Sequence, residues 1–163
     1  MSKRWWVVSL TAALSWSVVA KSFETPAPGH SMHGEVFNEG PRQAAYLMGD
    51  TGNVSFPITS ANPEAQAFFN QGIGQLHGFW YFEAERSFRQ VAMLDPNCAM
   101  AYWGMAYANL ENRTRGAKFI VKATEKKASA SRREQLFIDG LAEYLKEDKR
   151  KDEERRKAYI RDL

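Results

Sequence analysis

The chain has 163 residues and a mass of 18.6 kDa, the size of one ordinary domain, which excludes a multidomain machine. With 44% hydrophobic and 13% aromatic residues and a mean hydropathy of -0.49, it is too rich in core-forming side chains for a disordered chain and too polar for a membrane bundle. The formal net charge is +3, and a single cysteine, Cys98, excludes both an internal disulfide framework and a thiolate cluster for zinc or iron and sulfur.

Lys3 and Arg4 give the chain a positive start, and residues 5–20 then carry no charge and end in Val18, Val19 and Ala20 before Lys21. This is the pattern of a secretory signal. The apolar run is about 16 residues, against the roughly 20 that span a bilayer, and Ser9, Thr11, Ser15 and Ser17 dilute it. Cleavage after Ala20 is expected, leaving an exported chain, periplasmic or extracellular, without a stable membrane span. No twin-arginine pair precedes the apolar run and no cysteine follows it, so export of an unfolded, unlipidated chain is expected. Without Lys3 and Arg4, 20 basic residues face 19 acidic ones. The balance is uneven, with 4 basic against 8 acidic residues over 21–110 and 16 against 11 over 111–163. Acids interleaved in this way make a weak dipole and no nucleic-acid footprint.

Residues 21–62 read as an irregular arm, dense in proline and glycine (Pro26, Pro28, Gly29, Gly34, Gly40, Pro41) and without a sustained period. Two pieces of it are expected to order: 42–48 as a helical turn, and 54–58 as a strand-like stretch that Pro57 keeps out of any sheet interior. The arm also holds His30, Met32, His33 and Glu35, all possible metal ligands. Copper suits the histidines with methionine, and zinc suits them with glutamate. Two imidazoles in a loop fall short of the three or four ligands of a stable site, so the competing expectation is a loop that docks on the folded part.

After Asn62 the chain repeats itself. Ala65, Ala67, Phe68 and Phe69 recur 34 residues later as Ala99, Ala101, Tyr102 and Trp103, while Gly72 falls on Ala106, Gly74 on Ala108 and Leu76 on Leu110. A fixed offset of this length marks a helix-turn-helix repeat. Asn62 can cap the first helix with Pro63 at its first position. Phe68, Gly72, the Ala84-x3-Phe88 pair and Pro96 stand at the tetratricopeptide spacing. Gly72 and Ala84 are small enough for paired helices to approach, Phe68 and Phe88 fill the space beside them, and Pro96 stops the second helix. On these residues the chain resembles the tetratricopeptide repeat family, with Gln71 and Gln75 where that pattern has leucine and tyrosine.

The second unit runs over 99–110 with a partner helix over 116–128, on which Ala117, Ile120, Val121, Thr124 and Ala128 form one face. Two repeats are thus expected over 63–130, with Phe68, Gly72, Ala84, Phe88, Pro96, Tyr102 and Ala106 as their defining residues. A further helical segment over 131–163 begins at Ser131, which forms an S-x-x-E capping box with Glu134, and buries Leu136, Phe137, Gly140, Leu141 and Tyr144. Residues 146–157 are twelve consecutive charged residues, read as a solvated face laced by i, i+4 pairs such as Glu153 with Lys157. Ala158, Tyr159 and Ile160 look like the opening of another helix, so continuation past Leu163 is expected.

The expected fold class is all-α: an α-solenoid of helix-turn-helix repeats behind a signal segment and an irregular arm. The resemblance implies a protein or peptide partner received on a concave helix face, here the exposed positions of 63–77 and 99–112. The seven aromatics Phe79, Trp80, Tyr81, Phe82, Tyr102, Trp103 and Tyr107 serve either as core or as interface anchors. His77 reads as a turn histidine packed among aromatics, and Cys98 as a small buried residue. No phosphate-cradling loop, acid-base pair or nucleotide fingerprint stands in the chain, so neither catalysis nor a cofactor is expected. The rival expectations are a metal-binding protein using His30, His33 and Glu35, and the front of a larger exported enzyme.

Overall fold

A computed structural model describes residues 44–146, 148 and 150–162. The expected signal segment and His30, Met32, His33 and Glu35 lie outside them. The described residues form six α-helices and no strand. Helix α1 (Pro63–His77) starts where the Oδ1 of Asn62 accepts the Glu64 amide at 2.9 Å, with Pro63 at its first position. Helix α2 (Tyr81–Leu94) stops before Asp95 and Pro96, which has no amide hydrogen to continue it. Helix α3 (Ala99–Tyr107) ends three residues short of the expected Leu110, and Asn112 then caps α4 (Arg113–Lys126) by accepting from the Arg115 amide. A 3-10 turn, Lys127–Ser129, leads to α5 (Arg132–Leu145), whose capping box between Ser131 and Glu134 forms as the spacing predicts. Helix α6 (Asp152–Asp162) follows. Consecutive helices pack against each other, and α1 touches α3 as α3 touches α5, so successive helix pairs stack with their first helices side by side.

Of the seven residues expected to define the repeats, Phe68, Gly72, Ala84, Phe88, Tyr102 and Ala106 are buried, and Pro96 stands in the α2–α3 turn. Gln71 and Gln75 are buried as well. Ser87 of α2 satisfies both, accepting from Gln71 Nε2 at 3.0 Å and donating to Gln75 Oε1 at 2.7 Å. A buried amide is tolerated when it is hydrogen-bonded, and here one hydroxyl serves two of them.

Two helix faces differ from the periodicity. On α4 the buried residues are Arg115, Gly116, Phe119, Ile120 and Ala123, whereas Val121 is 55% exposed and Thr124 and Ala128 face water. Ala84, Phe88 and Val91 therefore recur as Gly116, Ile120 and Ala123, an offset of 32. The apolar count over 116–128 fitted either register, and Arg115, which the buried face includes, was the residue a hydrophobicity pattern discards. On α5, Leu136 is exposed while Ile138 and Leu145 are buried beside Gly140 and Leu141. Phe137 and Tyr144 are half-buried and pack on the core.

The charged run is not uniformly a solvated face. Glu153 and Lys157 pair in the open at 2.9 Å, but Arg155 is buried. Its guanidinium donates to the carbonyls of Tyr144, Lys146 and Asp148 and to the Asp148 carboxylate at 2.6 Å. Arg155 thereby supplies donors to carbonyls at the carboxyl end of α5, which have no partner within their own helix.

The arm is the largest departure. Residues 44–48 form no helical turn and 54–58 form no strand, yet the segment is ordered, because side chains of the helices replace a sheet neighbour. The Phe56 amide donates to Asn70 Oδ1 at 3.1 Å and the Ile58 amide to Gln66 Oε1 at 2.9 Å, while Gln66 Nε2 returns a bond to the Phe56 carbonyl. Glu134 accepts both the Thr59 amide and its hydroxyl at 2.6 Å, and Asp95 accepts the Ala61 amide and the Ser60 hydroxyl at 2.8 Å. Each buried backbone group of an extended chain needs such a partner. The Phe56 ring anchors the segment among Phe69, Trp103 and Phe137, with centroids 5.4–6.0 Å away. At the far end a methyl on Gly74 would overlap the Thr51 carbonyl, so the close crossing requires glycine there.

These contacts make the arm acid-labile. Burial alone would raise the pKa of Glu134 and of Asp95, but it is outweighed in Glu134 by bonds from Ser131 and Thr59, and in Asp95 by those from Ala61, Ser60 and Asn97, so both lie below their ordinary values. A carboxylate with a depressed folded pKa stabilises the fold above its ordinary pKa, near 4, and loses that contribution as pH falls through the lowered value. The protection factors of the Thr59 and Ala61 amides, exchange rates corrected for the intrinsic slowing of exchange in acid, should therefore fall as the pH drops below about 4 and before the helices melt. Unchanged protection across that drop would refute the assignment.

Candidate functional site

The site is an open groove of about 1460 Å³ beside the α1–α2 turn. One wall is that turn, Phe79 and Trp80, together with Tyr81 and Phe82 in the first turn of α2; the other is Trp103 and Tyr107 of α3. The second wall is rigid. Trp103 donates its indole N–H to the Phe137 carbonyl at 3.0 Å and stacks on Tyr107 with centroids 5.2 Å apart. Tyr159 of α6 also lines the groove, its phenol pushed up to about 12 by burial and by the neighbouring Tyr107.

The first wall is built differently, by a helix ending against preference. The Phe79 amide donates to the Leu76 carbonyl and the Trp80 amide to the Gln75 carbonyl, which is the Schellman pattern at the end of α1. The residue after the cap must then be left-handed, a place for glycine. Here Gly78 falls one position early, at φ -84°, and Phe79 takes φ 62°. A left-handed conformation costs an L-residue roughly 1–2 kcal/mol. Burial does not repay it, because the Phe79 ring is 77% exposed and meets Tyr81 edge-on at 6.4 Å. Trp80, Tyr81 and Phe82 are each about half exposed, at 44–57%. Phe79→Gly should accordingly raise stability by about 1 kcal/mol in urea denaturation. A loss of stability would mean that the ring carries packing the fold needs.

Below the groove lies an ionic cluster that joins three helices. Glu85 of α2 accepts from Arg115 of α4 at 2.5 Å and from Asn109 at 2.7 Å, and pairs with Arg89 one turn along its own helix. All four residues are buried. Asn109 also donates to the Met105 carbonyl at 2.8 Å, which ties the end of α3 into the cluster. Arg115 lies over the Phe119 ring at 5.3 Å, and burial lowers its pKa from the ordinary guanidinium value.

The residues singled out from the sequence are thus divided by the fold. Phe79, Trp80, Tyr81 and Phe82 are exposed at the groove, Trp103 and Tyr107 form its back wall, and Tyr102 belongs to the core. His77 is exposed on the groove margin at the end of α1. Cys98 is buried, and burial raises its thiol to about 11, so it stays protonated near neutral pH. Among the described residues no cluster of three or more His, Cys, Asp or Glu could hold a metal, and no helix is long and apolar enough to cross a membrane. The expected concave face does not stand free: α3 is buried from Ala99 to Ala106, and Gln66, Asn70 and Gln71 of α1 are bonded to the arm. Sequence reasoning missed Tyr159 as a wall, and missed the Glu85 cluster although its signal was present: Glu85 and Arg89 are four apart beside Ala84 and Phe88, a charged pair on an apolar face. Compared with family models, curated proteins and solved structures, the chain matches none.

Proposed function

We propose that this protein is an exported interaction module of the tetratricopeptide type, without chemistry of its own, which receives a segment of another protein in the aromatic groove. The repeat type is supported by the 34-residue recurrence and by the stacking of successive helix pairs on small residues. The observation that carries the binding role is Phe79. A bulky side chain held in a strained conformation and left in water lowers stability, and such strain is kept where exposure of the ring serves recognition. Phe79 and its three aromatic neighbours then act as interface anchors, the residue types that dominate binding energy.

The usual inner face is closed to a partner because the arm lies on it, so the groove at the helix ends takes over as the receiving surface. A random peptide display library tests this. The full chain is expected to enrich a common family of peptides, and Phe79→Gly with Trp80→Ala to abolish the enrichment while leaving helicity unchanged and the urea midpoint no lower. Enrichment that survives the double substitution, or none at all, refutes the proposal.

A further inference from the structure

The charges around the groove define the chemistry of its occupant. Three acidic residues line it: Glu83, Glu85 and Glu111. Glu85 is neutralised by the guanidinium groups beneath it. Glu111 is exposed and has no ion-pair or hydrogen-bond partner among the described residues. Glu83 has a loose pair with Arg86 at 3.4 Å, both side chains about a third exposed, an arrangement worth little in water. The lining also holds one cation, Arg113, which pairs with Asp152, lies over the Tyr144 ring at 5.7 Å, and is outnumbered by Glu83 and Glu111. The rim is therefore anionic while the walls are the faces of aromatic rings.

We propose that the occupant is an extended polypeptide segment of another protein carrying a basic side chain between proline or other apolar residues; this rests on the interaction role argued above. Aromatic faces attract cations, and the two rim carboxylates add to that attraction. Aromatic-lined grooves also suit proline-rich chain, which is already extended and loses little entropy on docking. A volume of about 1460 Å³ exceeds the roughly 300–1,000 Å³ of small-molecule pockets and fits a peptide. The arm supplies an internal precedent for the binding mode. Its Phe56 reaches the same groove from the inner face, its backbone held by Gln66 and Asn70, so the track of an extended chain runs directly into the aromatic walls. Exposed aromatics also suit a lipid interface, but acidic rim residues oppose an anionic bilayer and the rings line a concavity.

The test uses three capped, fluorescein-labelled nonapeptides that alternate proline and phenylalanine about a central arginine, glutamine or glutamate, titrated with the full chain by anisotropy. The arginine peptide should bind at least about tenfold more tightly than the glutamate one, with the glutamine peptide between them. Glu83→Gln with Glu111→Gln, or 0.5 M salt, should narrow that gap to less than about threefold. Equal binding of the three, or library peptides enriched without a basic residue, overturns the charge assignment and leaves the interaction role standing. No binding of any of the three, together with an empty library, removes both. Vesicles of phosphatidylcholine and phosphatidylglycerol that bind the wild type and lose it on Trp80→Ala overturn the proposal in favour of a membrane surface.

Discussion

Glu85→Leu should cost about 3–5 kcal/mol, because it removes one partner of a buried ion cluster and leaves two guanidinium groups without the carboxylate between them. Arg115 and Arg89 are 3% and 6% exposed, so water cannot replace the lost oxygens. Asn109 would lose an acceptor at the same time, and with it the tie between α3 and the α2–α4 pair. Against a total stability of roughly 5–15 kcal/mol such a loss removes a large share of the fold. Urea denaturation measures it directly. The informative companion is the triple substitution Glu85→Leu, Arg89→Leu, Arg115→Met, which removes every charge at once and should recover most of the loss, since packed apolar side chains often equal a buried ion pair. A single-substitution cost below about 1 kcal/mol would mean that the cluster is solvated.

Phe88→Ala should be comparably severe, at about 3–5 kcal/mol, by the loss of a buried ring and the cavity it leaves. Phe88 is fully buried, lies 5.2 Å from the Phe69 ring, and rests along its Cδ1–Cε1 edge on two glycines from different helices. A methyl on Gly72 would sit 2.6 Å from that ring and one on Gly104 2.5 Å from it. The ring thus fits because both α1 and α3 lack a Cβ there. Gly104→Ala should therefore destabilise by about 1–2 kcal/mol, the overpacking cost exceeding the roughly 1 kcal/mol that alanine gains over glycine in a helix. Because the two sites share one space, Phe88→Leu with Gly104→Ala should cost less than the sum of the single changes. Strict additivity would place the glycine and the ring in separate environments.

The groove shows how stability and recognition compete at one turn. Phe79→Gly is expected to make the protein more stable, and by the proposed role it also removes a ring from the receiving wall. The same substitution thus separates two explanations of a strained residue, since a purely structural phenylalanine would lose stability when removed.

Much of the architecture was legible in the chain because local rules act locally. Asn62 with Pro63, Ser131 with Glu134, and Pro96 after Asp95 mark helix ends through groups within four residues of one another, and those boundaries stand where they were expected. The 34-residue recurrence put Phe68, Gly72, Tyr102 and Ala106 in the core and the Ala84-x3-Phe88 spacing put Ala84 and Phe88 there, since small and aromatic residues at fixed offsets must meet when helices pair. Legibility ended where long-range contacts choose between locally equal options. Val121 and Ile120 have the same apolar character, and contact with α3 and α5 buried one and exposed the other. Residues 44–61 show no period because their partners are side chains of α1, α5 and the α2–α3 turn, up to 76 residues away, and no periodicity encodes such bonds. Composition and local spacing by themselves determined an all-helical chain of paired helices with a clustered supply of aromatics. Only the tertiary structure decided which of those rings face water, that the arm covers the inner face, and that Glu85 and Arg155 belong inside, because burial is set by what lies opposite a residue and not by what lies beside it in the chain.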